Sequence, residues 1–328
     1  MRTFHFETLK ETDVSGSTTR DPRSPTSPPH GFGDDERSIF LRRRPPASTL
    51  RWVEQQLGQR ITRVNARRGG SSSAIHALTV GESRVILRRY VMTDVVDEEP
   101  DIIDQEVRAL RVLERSAVVT PEPILRDDAG THADVPALVM SCLPGRVNWA
   151  PSHLDMWLQQ LAEALPPIHA TPWHADDAIR AFRLYPPDRW EPPPWLRDPS
   201  IWDRAVAAFH APPTDNAKVF INRDYHPGNV LFRRGRVSGV VDWQAAAIGP
   251  PSVDVSHCRG NLIGRFGLEV ADRFTKVWQD VSGERYHPWA EAAMAVDAFA
   301  WHGISARSRR EREDIETSIA RALADLGA

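Results

Sequence analysis

Cysteine is scarce: the 328-residue chain has two, Cys142 and Cys258, far apart and in no metal-binding spacing. Isolated thiols in a reducing compartment fit that usage better than a disulfide framework or a zinc ribbon. Long apolar runs are missing as well, since no segment approaches the roughly 20 residues that span a bilayer. The amino-terminal MRTFHFETLKETDVSG alternates too many polar residues to supply the apolar core of a secretory signal. Nor is there a basic excess: a net charge of −3 argues against a general nucleic-acid binder, whose footprint is a surplus of Lys and Arg. The reading is a cytoplasmic protein with neither membrane nor nucleic acid as partner. Composition leaves the oligomeric state open.

What is present is an ordinary globular balance, 41% hydrophobic and 26% charged, in a chain long enough for two lobes with separate cores. Residues 1–47 read as a disordered tail, because GSTTRDPRSPTSPPHGFGDDERS is Ser, Pro, Gly and mixed charge with little to bury. Order begins at STLRWVEQQLG, a short helix closed by Gly58. Three β-rich runs follow, ITRVNARR, AIHALTV and RVILRRYV, separated by Gly69-Gly70-Ser71-Ser72-Ser73 and by Gly81-Glu82. That is the spacing of consecutive antiparallel strands joined by hairpins. DIIDQEVRALRVLERS is helical, with Ile103, Val107, Leu110 and Leu113 recurring on one face. Glu106 lies inside that stripe, and an acid facing a core needs a partner. PEPILRDD and VPALVMSCL supply two more strands, and from DMWLQQLAEALPPIHA onward the chain is mainly helical. The expectation is a small lobe of about five strands and one key helix over 48–143, then a larger helical lobe over 144–328. The cleft between them is the favoured ligand site.

One stretch interrupts the helical half. Residues 219–243, VFINRDYHPGNVLFRRGRVSGVVDW, place Asp224, Asn229 and Asp242 beside short β-branched runs. Each alone is an ordinary turn residue, and His-Pro-Gly-Asn is turn-like by composition. Their joint order favours one site. Asp224 follows an apolar strand, Asn229 starts NVLF, and a turn at Arg234-Gly235 brings RVSGVVD back so that Asp242 approaches Asn229. Asn and Asp oxygens suit Mg²⁺, which takes one or two protein groups plus phosphate and water. Asp224 is then free to orient or deprotonate a hydroxyl. His226, beside this set, lacks the matched ligands of a zinc site; it and His169, His174 and His257 read as packing or hydrogen-bonding residues.

This segment resembles the catalytic loop and metal-binding strand of the aminoglycoside phosphotransferase family, which shares the protein-kinase-like fold. The family pattern is His-x-Asp-x-x-x-x-Asn, a hairpin, then Ile/Val-Asp-Trp. Here it stands as Asn222-Arg223-Asp224-Tyr225-His226-Pro227-Gly228-Asn229 and Val241-Asp242-Trp243. The resemblance implies an α+β bilobal fold, with a small antiparallel-sheet lobe over 48–143 that binds the nucleotide and a larger mainly helical one over 144–328 that carries catalysis and the acceptor. It implies Asp224 as catalytic base and Asn229 and Asp242 as holders of Mg²⁺. Gly69, Gly70, Ser71 and Ser72 fall where the family covers the ATP phosphates. Arg88 takes the place of the phosphate-contacting basic residue, with Glu106 as its partner. Met140 and Cys142 lie at the inter-lobe hinge that meets adenine. Two positions depart from the pattern: Asn222 replaces the His, and Ile248-Gly249-Pro250-Pro251-Ser252-Val253-Asp254 lacks the first acid of the family's later pair. Asp254 remains as support for the catalytic loop.

The function implied is ATP- and Mg²⁺-dependent transfer of a phosphoryl group to a small-molecule hydroxyl. The acceptor is an aminoglycoside-like antibiotic, a sugar or an amino alcohol. Glu269, Asp272, Glu291 and Asp297 are the acids available to receive amines, and ten of the eleven Trp residues follow position 148, where they could line a pocket for rings. The alternative is a catalytically silent kinase-like nucleotide binder, motivated by Asn222 and the missing acid before Pro250.

Overall fold

The computed structural model describes residues 39–67, 73–187, 190–213, 217–302 and 308–327, the side chains of 93–95 and 299–302 excepted. Helix α1 (Ala47–Leu57) stops at Gly58, whose φ of 65° is a left-handed cap. Strands β1 (Ile61–Ala66), β2 (Ala74–Val80), β3 (Ser83–Arg89), β4 (Pro123–Asp127) and β5 (Ala137–Ser141) form one sheet in the order β1-β2-β3-β5-β4. All four pairings are antiparallel. A tight turn at Gly81-Glu82 joins β2 to β3 and fixes Val80 opposite Ser83.

Because side chains alternate across a strand, the sheet has two different faces. Leu78, Val85, Leu87 and Val139 pack with Trp52 and Val53 of α1. The other face carries Leu138 and Met140, which pack with Tyr90 and with Ile102, Ile103 and Val107 of α3 (Ile102–Leu113). Arg88 shares this second face, two residues along β3 from Ile86 and opposite Leu138. A short helix, α2 (Thr93–Glu98), precedes α3. The apolar stripe expected on α3 is buried, each side chain contributing about 1.5–3 kcal/mol. Its distal part, Leu110 and Leu113, joins the core of the helical half beside Trp157, Leu161 and Trp243. One helix therefore fastens the sheet to the rest of the chain.

That half contains α4 (Leu154–Glu163), α5 (Leu165–His169), α6 (Pro199–His210), α7 (Ser252–Phe266), α8 (Leu268–Ser282), α9 (Pro288–His302) and α10 (Arg309–Asp325). Two small β pairs sit among these helices. Strands β7 (Val230–Arg233) and β8 (Arg236–Val240) form the expected hairpin, with positive φ at both Arg234 and Gly235. The second pair joins β6 (Val219–Ile221) to β9 (Ala247–Gly249). Strand β9 is a three-residue segment too short for any periodicity to mark it. The fold is thus α+β, with an antiparallel sheet ahead of a helical half, as the sequence implied. Most of the supposed tail lies outside the described residues, but Leu41 is buried against Ala74, Val91 and Val135. Packing thus begins earlier than composition suggests. Among the described residues no helix is long and apolar enough to cross a membrane.

Candidate active site

The loop between β6 and β7 is braced from α7. Asp254, in the first turn of that helix and fully buried, accepts the backbone N–H of Asn222 at 3.0 Å and of Arg223 at 2.6 Å. His169 Nε2 lies 3.0 Å from the same carboxylate. The bracing allows Arg223 a φ of 68°, unusual for a residue with a side chain. Tyr225 anchors the loop from below, its hydroxyl donating to Leu161 O at 2.7 Å. Asn222, where the family has His, donates through Nδ2 to Asp242 O at 3.0 Å and accepts Asp224 N–H at 3.2 Å. Its amide thus ties the loop to the segment after β8.

Both oxygens of Asp224 are engaged. Asn229 Nδ2 donates to Oδ2 at 2.9 Å and also to Asp224 O at 2.9 Å. Both partners are acceptors, so the amide orientation is forced and Asn229 Oδ1 is its remaining acceptor. His257 Nε2 lies 2.9 Å from Asp224 Oδ1, with His226 Nε2 at 3.9 Å from the same atom. Burial acts to raise the Asp224 carboxyl, but the His257 hydrogen bond, the two neighbouring imidazoles and the Asn229 amide outweigh it. They hold it well below the usual carboxylate range, so it is an anion at neutral pH. About a third of the side chain is exposed, which leaves the carboxylate reachable.

Beside it runs a buried chain of charges. Glu106 receives Arg88 Nη1 at 2.9 and 3.1 Å, the Tyr90 hydroxyl at 2.6 Å and Trp243 N–H at 3.4 Å. Arg88 also donates through Nε to Ser73 Oγ at 2.9 Å, and its Nη1 makes an ion pair with Asp242 Oδ1 at 2.9 Å. Burial alone would strip the charge from Arg88, but Asp242 and Glu106 hold the guanidinium firmly protonated. The acid in the α3 stripe therefore has the partner its position demanded. Asp242 itself has a φ of 66°. Burial pushes its carboxyl up, to about 6, against the pull of Arg88 and with the help of the Asp224 charge.

A cation fits this pair of residues. Asp242 Oδ1 is buried and has no aligned hydrogen-bond donor despite the nearby guanidinium. Val241 N–H donates to Asn229 O at 2.9 Å, so the backbone holds Asn229 and Asp242 side by side. Their oxygens are the hard donors that Mg²⁺ takes. The trio Asp224, His226 and His257 also offers atoms within 4.8 Å of one another. There, however, His226 Nδ1 accepts Gly228 N–H at 3.0 Å. That leaves the proton on Nε2, and a protonated nitrogen donates rather than ligates.

Of the residues singled out from sequence, Arg88, Glu106, Asp224, Asn229 and Asp242 converge. Met140 is held inside the sheet, paired with Ile86 on one side and Pro123 on the other, and its side chain packs in the apolar cluster under α3. Cys142 follows the last strand residue, where the chain leaves the sheet, and is a free thiol. Gly69, Gly70, Ser71 and Ser72 lie outside the described residues. Sequence reasoning missed Ser73, Tyr90 and the contact of His257. Among the acids weighed for binding amines, Asp297 pairs with Arg223 of the loop at 3.3 Å. Asp272 and Glu291 instead surround Arg259 on α7.

The profile of the phosphotransferase enzyme family matches residues 63–292, more than half of the chain. The protein belongs to that family. Solved structures with the same fold include a macrolide 2'-phosphotransferase, MphH from Brachybacterium faecium, with TM-score 0.51, 15% identity, and 81% of this chain and 96% of that one covered. A thermostable mutant of the aminoglycoside phosphotransferase APH(4)-Ia, in a ternary complex with ADP and hygromycin B, has TM-score 0.59 at 13% identity, covering 86% and 100%. The GDP and kanamycin complex of APH(2")-IIia has TM-score 0.56 at 16% identity, covering 84% and 99%. No curated protein matches the sequence.

Proposed function

We propose that this protein is an ATP-dependent kinase of a small-molecule hydroxyl, with Asp224 as its catalytic base. The observation that carries the reading is the contact chain from Glu106 through Arg88 to Asp242, tied by Asn222 to Asp224 and its partner Asn229. Asp224 is an exposed-edge carboxylate held ionised, suited to align an acceptor hydroxyl and take its proton as the oxygen attacks phosphorus. Asn229 and Asp242 would hold Mg²⁺, which supplies charge neutralisation on the phosphate oxygens when bound. Arg88, held through Nη1 by Glu106 and through Nε by Ser73, keeps Nη2 to donate to the nucleotide phosphates. With chemistry of this type, most of the rate gain comes from positioning and electrostatics.

Solved relatives in complex with hygromycin B or kanamycin make antibiotic acceptors reasonable candidates, beside sugars and amino alcohols. The silent-binder alternative rested on Asn222 and on the missing acid before Pro250, and Asn222 is a working part of the loop. Its two hydrogen bonds to the loop and to Asp242 O favour the enzyme. Asp224→Ala tests the assignment: ATP binding is expected to persist while ADP release falls by about 100-fold or more. Unchanged turnover would remove Asp224 from the chemistry. In parallel, Asp242→Ala is expected to abolish the Mg²⁺-dependent part of ATP affinity, read by titration calorimetry with and without the ion. Metal-dependent affinity that survives the substitution contradicts that role.

A further inference from the structure

We infer that His257 is a positioning residue for the phosphoryl-transfer base, an inference that rests on the function proposed above. The geometry is a grip on both oxygens of one carboxylate. Asn229 Nδ2 holds Asp224 Oδ2 at 2.9 Å, and His257 Nε2 holds Oδ1 at 2.9 Å. One contact fixes where the carboxylate sits; the second stops its rotation about the Cβ–Cγ bond. His257 stands three residues after Asp254 on α7, so the two share a helix face. That face carries two braces of different kinds, Asp254 on the loop backbone at Asn222 and Arg223 and His257 on the side chain that the loop presents. A histidine that only packed would have no reason to aim Nε2 at an anion, and His257 is about a quarter exposed rather than in the core. His226 cannot substitute, because its nearest approach to Oδ1 is 3.9 Å.

The consequence is specific. Losing the donor frees the carboxylate to turn while nucleotide contacts, which lie on the other side through Arg88 and Asp242, stay in place. The test uses the full chain with Mg·ATP, a panel of aminoglycosides, macrolides, sugars and amino alcohols as acceptors, and Asp224→Ala as the background to subtract. Replacing His257→Leu, similar in bulk but without a donor, is expected to lower the Asp224-dependent kcat by about 10- to 100-fold, with KM for ATP changed less than about twofold. His257→Gln, which carries an N–H donor at comparable reach, is expected to recover most of that loss. Thermal unfolding of both variants checks that each is folded. Wild-type kcat in the Leu variant overturns the inference, as does an equal fall in a folded Gln variant. Wild-type protein with no Asp224-dependent ADP release across that panel defeats the proposed function first, and the role of His257 with it.

Discussion

Arg223 occupies a left-handed backbone position, φ 68°, that costs a residue with a Cβ about 1–2 kcal/mol and glycine almost nothing. What offsets the strain is its side chain. The guanidinium lies 4.2 Å from the Tyr185 ring centroid, pairs with buried Asp297 at 3.3 Å and donates to Arg183 O at 3.2 Å. Both Arg223→Ala and Arg223→Gly are therefore expected to lose stability in urea titrations. The glycine variant should lose about 1 kcal/mol less, because it relieves the strain that alanine keeps. An alanine variant as stable as the parent would mean the clamp contributes nothing. At this scale the site was legible wherever its residues are close in sequence: Asp224, Asn229 and Asp242 fall within one hairpin-bearing stretch. His257 was not, because its contact with Asp224 spans two elements and a lone histidine carries no spacing to read. Ser73 and Tyr90 reach Arg88 and Glu106 through register and tilt, neither of which a residue type discloses.

Helix α3 shows what an element adds. Its stripe of Ile103, Val107, Leu110 and Leu113 was readable from period alone, and so was the anomaly of Glu106 within it. The structure resolves the anomaly by setting Arg88 of β3 opposite, with Tyr90 and Trp243 filling the remaining acceptor positions. Glu106→Ala removes the charge partner and leaves the Tyr90 hydroxyl without its acceptor, so a loss of about 3–5 kcal/mol is expected. Adding Arg88→Met to that variant should cost less than Arg88→Met costs alone, since the buried guanidinium has already lost one of its two carboxylates and its removal no longer leaves Glu106 unpaired. The double-mutant cycle measured by chemical denaturation checks this, and additive losses would deny the coupling. Strand β9 and the β6–β9 pairing lay beyond sequence reading, because a three-residue strand is too short to show a period. The hairpin of β7 and β8 was legible through Arg234-Gly235, which supplies the two positive φ values such a turn needs.

For the molecule as a whole, the sheet and the helical half meet at α3 and at the Arg88–Asp242 contact, so stability and the proposed catalysis share residues. Acid sensitivity has a separate source in His76 on β2, which is buried, 1% exposed, with a pKa lowered to about 4 by burial and by Arg89 nearby. The unfolded chain binds a proton at this imidazole as pH falls through about 6.5, while the folded protein does not until about 4. Stability contributed by the neutral ring is thus complete above 6.5 and lost progressively between those values, on the order of 3 kcal/mol in all. His76→Leu is expected to flatten that part of the stability–pH curve relative to the parent; parallel curves would place the sensitivity elsewhere. The central claim is phosphoryl transfer to an organic hydroxyl, and the most direct measurement follows the phosphorus itself. ATP labelled at the γ-phosphate would be incubated with the protein, Mg²⁺ and a panel of aminoglycosides, macrolides, sugars and amino alcohols, and the label traced. Label on a hydroxyl of an organic acceptor, absent with Asp224→Ala, is the expected result. Label that stays on ATP across the panel, despite demonstrable Mg·ATP binding, would contradict the account and leave a nucleotide-binding protein without transfer.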